Sequence, residues 1–222
     1  MTSDATIGVA GLGGMGSNAA VMLARSGVGR LVLADFDVVD EGNIARQAYA
    51  PRHVGMRKTD ALRGILEELG TGTGVETRDV RLDAGNVADV FRGCDVVCEA
   101  LDVPESKATV VEALLSGGFT VVACSGMAGT GPANSIVTRR AMGRLWVCGD
   151  GVSDVAAEGR LNAARVSVCA GHMALAAIRL AQGLEPRSSL LLRCLTWKTN
   201  WFLEGAGSGR GSSSAPGSSR SR

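Results

Sequence analysis

Along the chain, short continuous apolar runs recur at wide intervals: Ile7 to Ala10, Leu31 to Ala34, a weaker Val75 to Leu82, Val96 to Cys98, and Thr120 to Cys124. Runs of this length without polar alternation predict strands buried on both faces of a parallel sheet. Between them, apolar positions at helical spacing predict helices over 14–26, 57–69, 85–92 and 105–116, several ending at a glycine such as Gly27, Gly70 or Gly93. The alternation reads as βαβ units, and so as an α/β doubly wound sheet. After Cys124 the pattern changes. A Gly-rich turn, "SGMAGTGPAN", leads into two short β-like pieces, "SIVTRR" and "RLWVC", and then a long apolar helix near 162–183. The two pieces predict an antiparallel extension of a mainly parallel, Rossmann-like sheet.

Size and composition narrow the picture further. With 222 residues, 45% of them apolar, the chain can bury one substantial core. We expect one nucleotide-binding domain over 1–185, an unassigned segment over 186–204 containing Trp197, Trp201 and Phe202, and a tail over 205–222. The tail, "GAGSGRGSSSAPGSSRSR", has too little apolar surface to offset the entropy of ordering, so disorder is expected there. A formal net charge of +1 argues against a strongly basic phosphate-backbone binder, so nucleic acid is not the expected partner. The six cysteines, at 94, 98, 124, 148, 169 and 194, form no C-x-x-C pair, so reduced thiols and no structural zinc are expected. No basic-then-apolar leader opens the chain, and the segment around His172 is interrupted by polar residues. A cytoplasmic protein without a membrane span is the expectation.

The stretch "VAGLGGMGSNAAVMLARSG" carries the first chemistry. Gly11, Gly13, Gly14 and Gly16 lie between a strand and a helix and satisfy G-x-G-x-x-G: a tight turn, a close backbone approach to phosphate, and close helix–strand packing. The helix start favours an anion. Asp35, ending the second strand in "LVLADFD", stands where a carboxylate can accept from ribose hydroxyls. These features imply a nucleotide but leave NAD, FAD and ATP open.

The residues that follow are more selective. Asp35-x-Asp37, then Asn43-x-x-Arg46-Gln47, then Gly55 and Lys58, resemble the nucleotide site of the ThiF/MoeB/ubiquitin-activating-enzyme superfamily, over about residues 5–183. That resemblance implies ATP and Mg2+ as cofactors and a homodimer. It also implies adenylation of the C-terminal Gly-Gly carboxylate of a small ubiquitin-like sulfur carrier protein. The chemistry agrees, because an attacking carboxylate needs no protein nucleophile, only positioning and cancellation of triphosphate charge. Arg46 offers a planar fork for phosphate oxygens, Lys58 a compact mobile charge, and Asn43 an orienting amide, with Gln47 in support.

The resemblance assigns magnesium to Asp102, at the end of the fourth strand in "CDVVCEALDVPESK". Position alone leaves metal binding and capping of the helix at Pro104 equally open. The family's usual Asp-Asn, with an Arg a few residues on, is here Asp102-Val103 and Lys107. "TRRAMGRLWVCGD" and "NAARVSVCAGHMA" are similar to the short, zinc-free branch that serves thiamine thiazole synthesis. Cys124, Cys148 and Cys169 are expected to be small buried hydrophobes rather than sulfur-transfer thiols. His172 is expected to be a hydrogen-bonded core residue. A tRNA-modifying dehydratase that adenylates a small carboxylate, an NAD-binding oxidoreductase and a nucleotide-sensing module are the alternatives.

Overall fold

A computed structural model describes residues 4–186. All but the first residue of the unassigned segment 186–204, and the whole tail 205–222 for which disorder is expected, lie outside the described residues. Seven strands form one sheet: β1 (Thr6–Ala10), β2 (Arg30–Asp35), β3 (Gly74–Asp79), β4 (Val96–Glu99), β5 (Val121–Cys124), β6 (Val137–Met142) and β7 (Leu145–Gly149). Their order is β3-β2-β1-β4-β5-β7-β6. All neighbouring pairs are parallel except β6 with β7, where the register slips between Arg140 and Met142. The expected antiparallel extension is therefore one edge strand, because β7 itself joins β5 in parallel.

The helices are α1 (Gly14–Arg25), α2 (Lys58–Glu68), α3 (Val87–Val90), α4 (Pro104–Ser116), α5 (Val155–Glu158) and α6 (Ala163–Ala181). Alternation within β1 divides the core. Ile7 and Val9 belong to a layer with Leu23 of α1, Leu62 of α2 and Met173 of α6, whereas Ala10 faces Phe91, Val110 and Leu114 on the α3/α4 side. Each fully buried Leu here contributes about 2 kcal/mol of transfer free energy. By length and composition α6 could cross a membrane. It lies instead against α1 and the sheet, with Val166, Cys169, Ala170, Met173 and Ala177 buried.

Two expected elements shrink for local reasons. The strand expected to reach Leu82 ends at Asp79. The helix expected over 85–92 is a single turn, because the Asp83 carboxylate accepts from the Gly85 and Asn86 amides and holds the preceding residues in a turn. By contrast α6 begins one residue late, where the Asn162 side chain accepts from the Ala164 amide and caps it.

Candidate nucleotide site

The chain reverses winding direction between β1 and β4, and a crevice opens at the carboxyl ends of the strands there, as expected of open α/β sheets. A cavity of about 630 Å³ occupies it, within the usual range for small-molecule sites. All of the predicted site residues line this cavity except Gly16, whose role is structural.

The glycine loop is shaped by contact. Gly11 adopts φ +88°, a left-handed conformation that side chains disfavour, and a Cβ there would also meet the Ala100 carbonyl at 2.9 Å. A Cβ at Gly16 would lie 1.8 Å from the Gly11 carbonyl oxygen, so helix and loop touch backbone to backbone. At Gly13 the nearest atom would be Gln47 Nε2 at 4.0 Å, leaving open space above the loop. Gly13 precedes α1, whose first turn has no side-chain cap, so its N–H groups are available to an anion.

Asp35 ends β2 and is buried. Its Oδ2 accepts from the Leu12 amide at 2.6 Å and its Oδ1 from the Asp37 amide at 2.8 Å, which ties the glycine loop to β2. A carboxylate oxygen has a second lone pair, so both oxygens can still accept from a ribose. The segment carrying Asn43, Arg46 and Gln47 is anchored to the same loop. Tyr49 donates its hydroxyl to the Leu12 carbonyl at 2.9 Å, and Asn18 Nδ2 donates to the Arg46 carbonyl at 2.9 Å. Burial, and then the Asp35 and Asp37 carboxylates, push the Tyr49 phenol well above its ordinary pKa, so it stays a neutral donor.

Asn43 uses its Oδ1 to accept from the Asp40 amide at 3.0 Å, closing a capping box that shapes the turn before Arg46. Arg46 NH1 donates to the Gly42 carbonyl at 2.8 Å from a half-buried position. Gln47 Oε1 is buried without a hydrogen-bond partner among the described residues, an arrangement that costs about 1–3 kcal/mol until a donor reaches it. The cation expected to be mobile is held. Lys58 Nζ donates to Asp37 Oδ2 at 2.7 Å, and its side chain is only 9% exposed. It begins α2, whose packing against β2 and β3 restricts the stem.

Asp102 is exposed on the cavity wall and makes no hydrogen bond or ion pair with the described residues. It does not cap α4. Val103 occupies the N-cap position, without a side-chain bond. Glu99, Lys107 and Cys124 form a cluster of their own at the ends of β4 and β5. Glu99 was not anticipated as a site residue, since a carboxylate inside the apolar run "DVVCEAL" gives no periodic signal; only the lysine eight positions on, rare in this chain, pointed toward it. Lys107 Nζ donates to Glu99 Oε2 at 2.5 Å and lies 3.8 Å from Cys124 Sγ. Burial pushes the Glu99 carboxyl up, with the Lys107 charge acting against it. Burial also pushes the Cys124 thiol up to about 12, so it is a neutral, unreactive group. Cys148, raised to about 11 by burial, and Cys169, also raised by burial, behave alike. His172 Nδ1 shares the expected hydrogen bond, with Thr138 Oγ1 at 3.0 Å, but the residue is half-buried rather than in the core.

Sequence comparison agrees with the geometry. The ThiF family model matches residues 2–203. The chain belongs to the ThiF family. This ThiF-family chain is 35% identical over 120 residues to "Adenylyltransferase and sulfurtransferase UBA4" of Saccharomyces cerevisiae, a match spanning 54% of this chain and 27% of that protein. It therefore matches little more than a quarter of the length of that yeast relative. Among solved structures it is similar to the E. coli tRNA N6-threonylcarbamoyladenosine dehydratase TcdA in complex with ATP, with TM-score 0.74, 22% identity, and 82% and 87% of the two chains covered. It is also similar to E. coli MccB with ATP, with TM-score 0.65, 20% identity, and 83% and 58% covered. The mostly parallel α/β fold is shared with both.

The residues present suit ATP. The glycine cradle and the uncapped helix start offer N–H donors to phosphates, while Asp35 facing the cavity and the orphaned Gln47 oxygen offer acceptors to hydroxyl or amine hydrogens of a nucleotide. Among the described residues no three metal-ligating side chains converge. Asp102 is a hard oxygen donor of the kind Mg2+ accepts together with phosphates and water.

Proposed function

We propose that this ThiF-family protein is an ATP-dependent adenylyltransferase. The observation that carries the reading is the convergence of the glycine loop, Asp35, the Arg46 and Lys58 cations and the unpaired Asp102 on one cavity. A substrate carboxylate oxygen attacks the α-phosphorus of ATP, an O–P bond forms, the bond from the α-phosphorus to the α,β-bridging oxygen breaks, and pyrophosphate leaves with its electron pair. The product is an acyl adenylate, and no proton need be moved. Asp35 and the backbone of Gly11, Gly13 and Gly14 hold the ribose and phosphates. Arg46 and Lys58 neutralise charge that grows on the leaving pyrophosphate, while Asn43 and Gln47 keep the phosphate segment in place. Asp102 would hold Mg2+, which when bound offsets triphosphate charge.

Two carboxylates fit this chemistry, and relatives represent both. TcdA is a tRNA N6-threonylcarbamoyladenosine dehydratase, and the likeness to it runs over most of both chains. This supports a small carboxylate carried on tRNA. The 120-residue match to a named sulfurtransferase supports the other reading, the Gly-Gly terminus of a sulfur carrier, of which thiamine thiazole synthesis is one setting. Exchange of labelled pyrophosphate into ATP, measured with modified tRNA and with a Gly-Gly carrier in parallel, separates them. Arg46→Ala and Asp102→Ala are expected to lower the exchange by about 100-fold or more. Undiminished exchange in both variants would refute the site assignment.

A further inference from the structure

Glu99, the last residue of β4, is 0% exposed yet ionisable. Its two oxygens are used in opposite directions. Oε1 accepts from the Leu101 amide at 2.8 Å, and Oε2 accepts from Lys107 Nζ at 2.5 Å. Asp102 sits between these two tethers in sequence. The turn has no other brace of this kind, because α4 starts at Pro104 without a side-chain cap. Lys107 in turn is bonded through its amide to the Val103 carbonyl at 2.9 Å, so its ammonium reaches from the first turns of α4 down to the strand end. On its far side it meets Cys124, the last residue of β5.

A buried ion pair of this kind adds little stability over apolar side chains of the same volume, whereas it fixes geometry. It also settles the local charge. Glu99 and Asp102 are two carboxylates three residues apart, and Lys107 cancels the inner one. The outer one, on the cavity wall, is left as the accessible anion of the turn.

We infer that Lys107, held by Glu99, is a positioning residue that sets the β4–α4 turn so that Asp102 can bind the divalent cation. The inference rests on the proposed role of Asp102. Its test is Mn2+ binding followed by electron paramagnetic resonance, with a non-hydrolysable ATP analogue present, alongside calorimetric binding of the same analogue in chelator. Lys107→Met is expected to weaken Mn2+ binding about tenfold or more while changing metal-free nucleotide affinity less than about twofold, and Lys107→Arg to restore most of the loss. A merely structural role would lower both affinities together and the melting temperature with them. If Lys107→Met folds poorly, the neutral pair Glu99→Gln/Lys107→Met keeps the volume and removes the tether, and is expected to show the same selective loss. Parent-like Mn2+ binding in that pair, with Asp102→Asn defective, would overturn the positioning role and leave the metal assignment standing. Parent-like Mn2+ binding in Asp102→Asn would overturn the metal assignment and the inference with it.

Discussion

Replacing Gly16 by Ala asks whether the glycine loop is a backbone contact or merely a flexible turn. Gly16 lies in the first turn of α1, where Ala is favoured over Gly by about 1 kcal/mol of helix propensity. On propensity alone, Gly16→Ala would stabilise the protein. The added Cβ, however, would stand 1.8 Å from the Gly11 carbonyl oxygen, and tolerable contacts begin near 3.0 Å. Backbone must therefore retreat by more than an ångström, against a Gly11 already pinned through its amide to the Ala34 carbonyl at 2.9 Å. Overpacking of this kind costs about 3 kcal/mol, which outweighs the propensity gain and leaves a net loss of about 2 kcal/mol. For a domain of this size that is a fall of about 4–8 °C in Tm. Gly13→Ala is the control. Its Cβ meets nothing nearer than Gln47 Nε2 at 4.0 Å, so Tm should hold, while the methyl group enters the phosphate space. ATP affinity should then fall about tenfold or more, a loss of ~1.4 kcal/mol or greater. Calorimetric melting and ATP titration of both variants measure these effects. A Gly16→Ala protein that melts at or above the parent temperature would refute the contact argument, and parent-like ATP affinity in Gly13→Ala would refute the placement of phosphate over the loop.

Two further outcomes follow from charge and burial away from the glycines. Arg165 of α6, 5% exposed, donates to Asp150 Oδ2 at 2.6 Å. Burial works to raise the Asp150 carboxyl, but the amides of Ser153 and Val152, the Ser153 hydroxyl and Arg165 outweigh it and hold it at about 2. A depressed carboxyl contributes stability that is fully present above its ordinary pKa of 3.8 and is lost as pH falls toward 2. Asp150→Asn should therefore be less stable than the parent by about 2 kcal/mol at pH 7, with the gap closing between pH ~4 and ~2 in urea titrations; a constant gap would count against the pairing. Alkylation of native protein by iodoacetamide at pH 7.5, mapped by mass spectrometry, should spare Cys98, Cys124, Cys148 and Cys169, which are all buried. Rapid labelling of Cys124, which is buried at the cavity wall, would contradict its neutral state.

Much of the scaffold was legible because burial on both faces of a central strand leaves a continuous apolar run, and the runs at Ile7, Leu31, Val96 and Val121 all became strands of the sheet. The glycine loop and Asp35 were legible for another reason, the G-x-G-x-x-G spacing between strand and helix and the acid at the end of the next strand, and the Asn43 to Lys58 segment through its resemblance to a known family. What escaped was decided by tertiary partners. The turn at Asp83 shortens α3 through side-chain bonds that no hydrophobic period encodes. The Lys58 and Asp37 pair joins residues 21 apart, and Glu99 gains its meaning only when α4 brings Lys107 back over the strand end. Asp102 showed the limit of position alone, since the structure had to show that Val103, not Asp102, stands at the N-cap of α4.

The clasp between Lys58 and Asp37 bears on which small anions this crevice retains. Any phosphate that draws on that ammonium competes with a carboxylate already 2.7 Å away. A lone inorganic phosphate gains one partner and disturbs another, so its occupancy is self-limiting. In the proposed binding mode a nucleoside triphosphate would recover the same cost through its sugar at Asp35 and its chain of phosphates along the loop. On the proposed role of Lys58, discrimination against small competing anions would be a property of the resting charge arrangement, established before any substrate arrives.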